Sequence, residues 1–170
     1  DSFVSRGLGD VYKRQLSHNT ASYTDDEVFY LFYGKSYNPQ ADKKTKYIKM
    51  RGRKVYEFAL TNVPSAMKEC LDLANTDISE IKKILIHQAN AKMDDAIVKR
   101  LYKLFNEESP EKIMPLTVDR FGNSSVATVP TMFDLIIRNK LGDHKIEKGD
   151  KIIFASVGAG MHINAMVYQY

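Results

Sequence analysis

A single cysteine, Cys70, occurs in 170 residues. That excludes an intramolecular disulfide and a cysteine-based metal cluster, and it fits a reducing compartment. Long apolar runs are missing too, since no stretch approaches the roughly 20 residues that a bilayer span requires. The N-terminus lacks the basic-then-apolar pattern of a secretory leader, so a cytoplasmic location without membrane contact is expected. Charge of one sign is nowhere concentrated: 25 Lys and Arg are interspersed with 21 Asp and Glu, for a net charge of +4. Nucleic-acid binding, whose signal is a basic face with stacking aromatics, gains no support, whereas an acidic protein partner is compatible. What is there, 44% hydrophobic and 27% charged residues, is the composition of one globular domain with a real core.

The first fifteen residues, DSFVSRGLGDVYKRQ, share no periodicity with the rest. DVYKRQ is what GAT GTG TAT AAG AGA CAG encodes, a string that resembles the end of a transposon sequencing adapter, and SRGLG matches the bases just upstream. Residues 1–15 are therefore expected to be non-native, with Ser5 to Gln15 as translated adapter. Native sequence is then expected over 16–170, cut off upstream.

EVFYLFY, Glu27 to Tyr33, is aromatic and β-branched, closes at Gly34 and predicts a strand; Ser36 to Lys46 predicts a surface loop. After Gly52, the apolar residues Val55, Phe58, Ala59, Val63, Ala66, Met67, Cys70, Leu71 and Ala74 recur at helical spacing, with Pro64 predicting a kink. Lys83 to Ile86 reads as a short buried strand. Asn90 reads as the cap of a helix whose apolar face is Met93, Ala96, Ile97, Leu101, Leu104 and Phe105. Ile113 to Val118 predicts a strand, Ser125 to Asn139 a helix with Pro130 in its first turns, and Glu147 to Asp150 a turn. KIIFASV and INAMVYQY predict two strands joined by a glycine-rich turn. Strands alternating with helices argue an α/β layered fold.

His87 stands where the apolar run ILI opens into QAN, and strand ends of this kind are where α/β folds place ligands. A lone histidine there is ordinarily a core residue satisfied by a backbone carbonyl. In GNSS, Gly122 to Ser125, the glycine permits a sharp turn that presents the Asn123 carboxamide, although such an asparagine is usually a turn or capping residue. In SVGAGM, Ser156 to Met161, small residues after a buried strand let a ligand approach backbone N–H groups, or simply make a tight turn. Cys70 lies on the apolar stripe of its helix, where a thiol is buried and inert. His18, His144 and His162 show no metal-ligand spacing with one another or with His87. No serine sits in a nucleophile elbow, which leaves a hydrolase reading weak.

HQAN, then GNSS followed by a proline-bearing helix, then a buried strand entering VGAGM together resemble the C-terminal half of 3-oxoacyl-acyl-carrier-protein synthase III, a condensing enzyme of the thiolase superfamily. The resemblance runs from Gly52 to Tyr170 and more loosely back to Leu16. It implies the C-terminal half of a thiolase-like fold, a layered mixed sheet flanked by helices. It implies that His87 and Asn123 are two of three catalytic residues, neutral N–H donors to the oxyanion formed when a malonyl thioester loses carbon dioxide. It implies that Gly158, Ala159 and Gly160 supply a backbone N–H to a second oxyanion hole, with Ala159 where family members commonly carry glycine. It implies that Gln88, Ala89, Asn90, Ala91 and Lys92 dock the acidic acyl carrier protein; Lys99 and Lys103 carry positive charge nearby that would steer such a partner, but they lie outside the motif and such lysines are ordinarily a solvated helix face.

By the same resemblance the substrates are acyl-CoA and malonyl-acyl-carrier protein, no cofactor is needed, and the intact parent is a homodimer. Arg53 departs from the asparagine that family members often carry just after Gly52, beside the coenzyme A tunnel. The third catalytic residue is a cysteine in the family's N-terminal half, and Cys70, in the mid-helix segment MKECLDL, does not match it. The chain alone is therefore expected to be inactive. A starter-unit synthase for a polyketide, resorcinol or aryl polyene product, or a non-catalytic partner subunit with the same fold, would carry the same motifs.

Overall fold

The computed structural model describes residues 14–24 and 30–170, with the backbone alone at Ala159. Two-residue periodicity builds its sheet. Lys151–Gly158 (β5) and His162–Gln169 (β6) pair antiparallel, with Ile153 opposite Val167 and Ala155 opposite Ala165. Ile81–Ile86 (β4) lies parallel to β5, and Gln15–Ser22 (β1) lies antiparallel along the outer side of β6. Among the described residues the order is β1-β6-β5-β4. Alternation sends Ile84, Ile86, Ile153, Ala155, Ile163, Ala165 and Val167 to one face, and Leu85, Ile152, Phe154 and Tyr168 to the other. The run ILI is continuous because β4 and β5 are covered on both faces.

The first face is covered by two helices, Gly52–Leu73 (α1) and Ala91–Lys103 (α2), which bring Val63, Met67, Leu71, Ile97 and Leu101 into the larger core. Val118–Phe121 is a short helix (α3). Thr128–Ile137 (α4) covers the second face over β4 and β5 with Met132 and Ile136. Its Phe133 meets Phe154, Tyr168 and Tyr170 edge-on at 5.4, 6.4 and 5.9 Å. Helices, sheet and helix form three layers, a mixed α/β arrangement of the predicted class. At the β1–β6 end of the second face, His18, Thr20, Ser22, His162 and Asn164 are exposed. Leu31–Lys35 (β2) and Lys46–Met50 (β3) form a separate hairpin in which Tyr33 pairs with Ile48 and both are exposed.

Four sequence expectations change. Residues 113–118 form no strand. Pro115 has no N–H to give a ladder, and the amides of Thr117 and Val118 are spent on the Gln88 side chain, so only the Ile113 carbonyl meets β4, accepting from the Ile84 amide at 3.0 Å. The strand expected over Glu27 to Tyr33 is observed as β2, passing through Gly34 to Lys35, while residues 27–29 lie outside the described residues. α1 runs unbroken through the buried Pro64. The helix expected from Ser125 opens as a 3₁₀ turn, Ser125–Ala127, before α4 begins. Strands β1 and β3 were not legible, because β1 is polar on its open face and β3 stands in a hairpin outside the core. Of the segment read as adapter, Arg14 and Gln15 are described, and Gln15 opens β1 opposite Tyr168.

Asn90 caps α2 as expected, accepting from the amides of Lys92 and Met93 at 3.0 and 3.4 Å. One turn on, Asp94 is fully buried, and neither carboxyl oxygen has a hydrogen-bond partner among the described residues. Burial raises its pKa from 3.8 to about 7, against a smaller lowering by the Asn90 amide, which lies near without reaching hydrogen-bond geometry. A raised carboxyl pKa means that the native state holds a proton the unfolded chain has already lost. This group's contribution to stability therefore falls as pH rises from about 4 to about 7, then levels off. Asp94→Leu, of similar shape, removes both orphaned oxygens. We expect urea denaturation to show that variant more stable by roughly 2–4 kcal/mol at pH 8, with a flatter profile between pH 4 and 8; a parallel profile would show that Asp94 does not titrate in this window.

Candidate active site

His87 is the first residue past β4, and the parallel pairing continues to it: its amide donates to the Ala155 carbonyl at 2.9 Å. The histidine is thereby fixed against the end of β5, with its side chain half-buried at the edge of the second face. Gly122 closes α3 with φ 64° and ψ −162°, a conformation that glycine alone adopts readily. The chain then turns so that Asn123 and Ser125 come beside His87. The Ser125 amide donates to Asn123 Oδ1 at 2.9 Å, which leaves the Nδ2 hydrogens as the group Asn123 offers outward. His87 Nδ1 lies 3.2 Å from the Ser125 carbonyl oxygen.

His87, Asn123 and Gly158 line one cavity of about 640 Å³. α4 and its leading turn supply Ser125, Val126 and Val129, β5 supplies Phe154 and Ser156, and the open end of the sheet supplies Gln15, His18, Thr20, His162, Asn164 and Met166. Gly158 of the glycine-rich turn lines it at the end of β5. Ala159–Met161 form a 3₁₀ turn in which Gly160 has φ 74°. A Cβ at Gly160 would stand 2.8 Å from the His162 ring, so that ring closes the space beside the turn. His162 Nδ1 is in turn 2.6 Å from Ser22 Oγ on β1. Among the described residues no group of His, Cys, Asp and Glu is disposed to hold a metal ion. Cys70 lies on the other face, fully buried, donating to the Ala165 carbonyl at 3.2 Å, and burial pushes its thiol up to about 11.

The segment expected to dock a carrier protein divides. Ala89, Asn90 and Lys92 are exposed and Ala91 half-buried, but Gln88 is fully buried, which corrects its expected place on the docking surface. Its Nε2 donates to the Pro115 carbonyl at 2.7 Å, and its Oε1 accepts from the Thr117 amide at 2.8 Å, the Thr117 hydroxyl at 3.2 Å and the Val118 amide at 3.1 Å. The side chain spends its capacity on holding the segment that leads into α3. Lys99 is paired with Asp95 at 2.7 Å, while Lys92 has no ion pair among the described residues.

Two kinds of lining residue were missed in the sequence. His162, Asn164 and Met166 could have been found from the alternation of β6, had its turn been taken as an anchor. His18 and Thr20 could not, because β1 was not read as a strand. The structural role of Gln88 carried no local signal, since its partners are 27 to 30 residues away.

A mixed sheet between helices, with a histidine at one strand end and an asparagine carried to it by a glycine turn, defines the C-terminal half of a thiolase-like fold. Residues 71–170 match the family model described as 3-oxoacyl-acyl-carrier-protein (ACP) synthase III C terminal, and the chain belongs to that family. It is similar to the beta-ketoacyl-acyl-carrier-protein synthase III of Erythrobacter litoralis, 34% identical over 78% of this chain and 38% of that protein. To the protein of the same name from Lactobacillus helveticus it is 27% identical, over 96% of this chain and 51% of that one. The crystal structure of the Thermus thermophilus beta-ketoacyl-acyl-carrier-protein synthase III superposes with a TM-score of 0.73 at 24% identity, covering 92% of this chain and 46% of that one. The chain thus spans about half the length, or less, of the relatives it matches.

Gln88→Ala leaves the buried Thr117 amide and hydroxyl and the partly buried Val118 amide without their acceptor. We expect a loss of about 3 kcal/mol in denaturant unfolding, against less than about 0.5 kcal/mol for Lys92→Ala; similar effects of the two would contradict the division of this segment.

Proposed function

We propose that the chain is the C-terminal half of a condensing enzyme of the 3-oxoacyl-acyl-carrier-protein synthase III type, active in the first elongation of fatty-acid synthesis. The observation that carries this reading is the meeting of His87 and Asn123, from two separate loops, at one cavity beside the end of β5. In the parent, a cysteine of the absent half takes an acyl group from acyl-CoA. Malonyl-acyl-carrier protein then loses carbon dioxide, and the electron pair of the broken C–C bond becomes an enolate. Its carbon attacks the acyl thioester, forming the new C–C bond as the cysteine thiolate leaves.

The enolate oxygen is where charge develops, and a donor aimed there lowers the barrier more than one that binds the substrate. Asn123 Nδ2 is free to donate because Oδ1 is held by Ser125. His87 stands beside it, its imidazole the second group at the same point. Gly158 and the Ala159–Gly160 backbone would serve acyl loading through an N–H. Ala89, Asn90, Ala91 and Lys92 would receive the carrier protein, an acidic partner whose approach Lys92 favours. The parent is proposed as a cytoplasmic homodimer that needs no cofactor.

The purified 170-residue chain is expected to form no ketoacyl product, since Cys70 is buried on the wrong face; measurable condensation would refute the proposed division of labour. In the intact parent, His87→Ala and Asn123→Ala should each lower malonyl decarboxylation by about 100-fold or more while acyl loading persists. Survival of both steps would remove His87 and Asn123 from their proposed roles.

A further inference from the structure

Charge, read from the sequence as nowhere concentrated, gathers in the β2–β3 hairpin. Residues 30–51 carry Lys35, Lys43, Lys44, Lys46, Lys49 and Arg51 against the single acid Asp42, a net +5 in a chain whose total is +4. Among the described residues none of these six cations is ion-paired. Asp42 is spent locally, accepting from the Lys44 and Thr45 amides at 2.9 and 3.2 Å and from the Thr45 hydroxyl at 2.8 Å. The register sorts the hairpin into two faces. Leu31 lies opposite Met50, Tyr33 opposite Ile48 and Lys35 opposite Lys46, and alternation sends all six side chains to one face. All six are exposed, Tyr33, Ile48 and Met50 by 70, 69 and 62%. Two apolar rows thus end in two like charges set directly against each other, an arrangement that costs the hairpin stability by itself.

We propose that this face docks on an anionic lipid bilayer, its apolar rows entering the headgroup region and its lysines meeting lipid phosphates. Charge complementarity carries the choice of occupant. An apolar protein surface laid here would bury the Lys35 and Lys46 ammonium groups with no counter-charge, at the full desolvation cost of both. Single-stranded nucleic acid would need open aromatic faces on which to stack. Lys49 Nζ already stands 3.5 Å from the centroid of the Tyr37 ring, and the neighbours of Tyr33 on the exposed face are aliphatic. A bilayer satisfies both halves of the pattern. Leu31, Ile48 and Met50 reach toward the acyl boundary, Tyr33 sits at headgroup depth, and the cations lie along the phosphates. Apolar insertion together with a basic cluster is the pair of signals that makes peripheral attachment stable. Attachment of this kind needs no spanning segment, and it stands against the absence of membrane contact expected from the sequence.

The test is flotation of the 170-residue chain, and of the intact parent, with vesicles of equal parts phosphatidylglycerol and phosphatidylethanolamine, beside vesicles of phosphatidylcholine alone. Both proteins are expected to float with the anionic vesicles, to be released by high salt, and to stay behind with the zwitterionic ones. Lys35→Gln with Lys46→Gln should weaken binding by about 25-fold, since each basic residue near an anionic surface contributes about fivefold. Tyr33→Ser with Ile48→Ser, which leaves every charge in place, should weaken it by roughly tenfold. If that pair disturbs the fold by circular dichroism, Ile48→Ser alone takes its place. Failure of the unaltered chain to float overturns the proposal, as does undiminished binding in either double variant. Flotation of the chain without flotation of the parent overturns it too, because the face would then lie under the parent's other half. Binding of a purified acyl carrier protein that the lysine changes abolish, with no vesicle binding, assigns the face to an acidic protein instead.

Discussion

The parallel pairing of β4 with β5 is the constraint on which the site depends. It lets both faces of the sheet be covered where β4 ends, so Ile84 to Ile86 are apolar, and β4 leaves the sheet at a residue whose amide is still held by Ala155. His87 is therefore positioned by the ladder rather than by a flexible loop. The next residue, Gln88, turns inward and gathers Pro115, Thr117 and Val118. That anchoring sets where α3 begins, hence where Gly122 turns and where Asn123 arrives. Two side chains 36 positions apart in sequence meet because one carboxamide between them binds the interior.

The sheet is covered unevenly. α1 and α2 cover its first face with a large apolar core, whereas α4 covers the second over β4, β5 and the Tyr168 end of β6. The cavity lies along the border between the covered and open parts, with apolar Phe154 and Val129 on one side and Thr20 and Asn164 on the other. Charged and hydrogen-bonding groups are cheapest to place at such a border, where the backbone is rigid and water still reaches the side chains.

Much of this was legible in the sequence, for identifiable reasons. Period-3.6 and period-2 patterns are strong where an element buries one face, so α1, α2, α4, β5 and β6 were found close to their true limits. Asn90 was found as a cap because capping is local. The same locality explains the failures. Ile113 to Val118 has strand composition, but its amides were claimed by a side chain about thirty residues earlier. β1 was missed because six of its eight residues are polar, and His18, Thr20 and Ser22 face an open part of the sheet. His87 and Asn123 were singled out through motifs and line one cavity, while Thr128, whose hydroxyl holds the Ser125 carbonyl, looked like any helix residue.

Gly122 shows how little of such a site is a matter of room. A Cβ placed there would meet nothing within 4 Å, yet φ 64° with ψ −162° excludes a side chain on torsional grounds. The position has space to spare and no freedom to use it. Selection there acts on a backbone angle instead of on volume or contact, so a variant library scored by packing alone would admit nearly every residue at 122, and the functional survivors would be glycine.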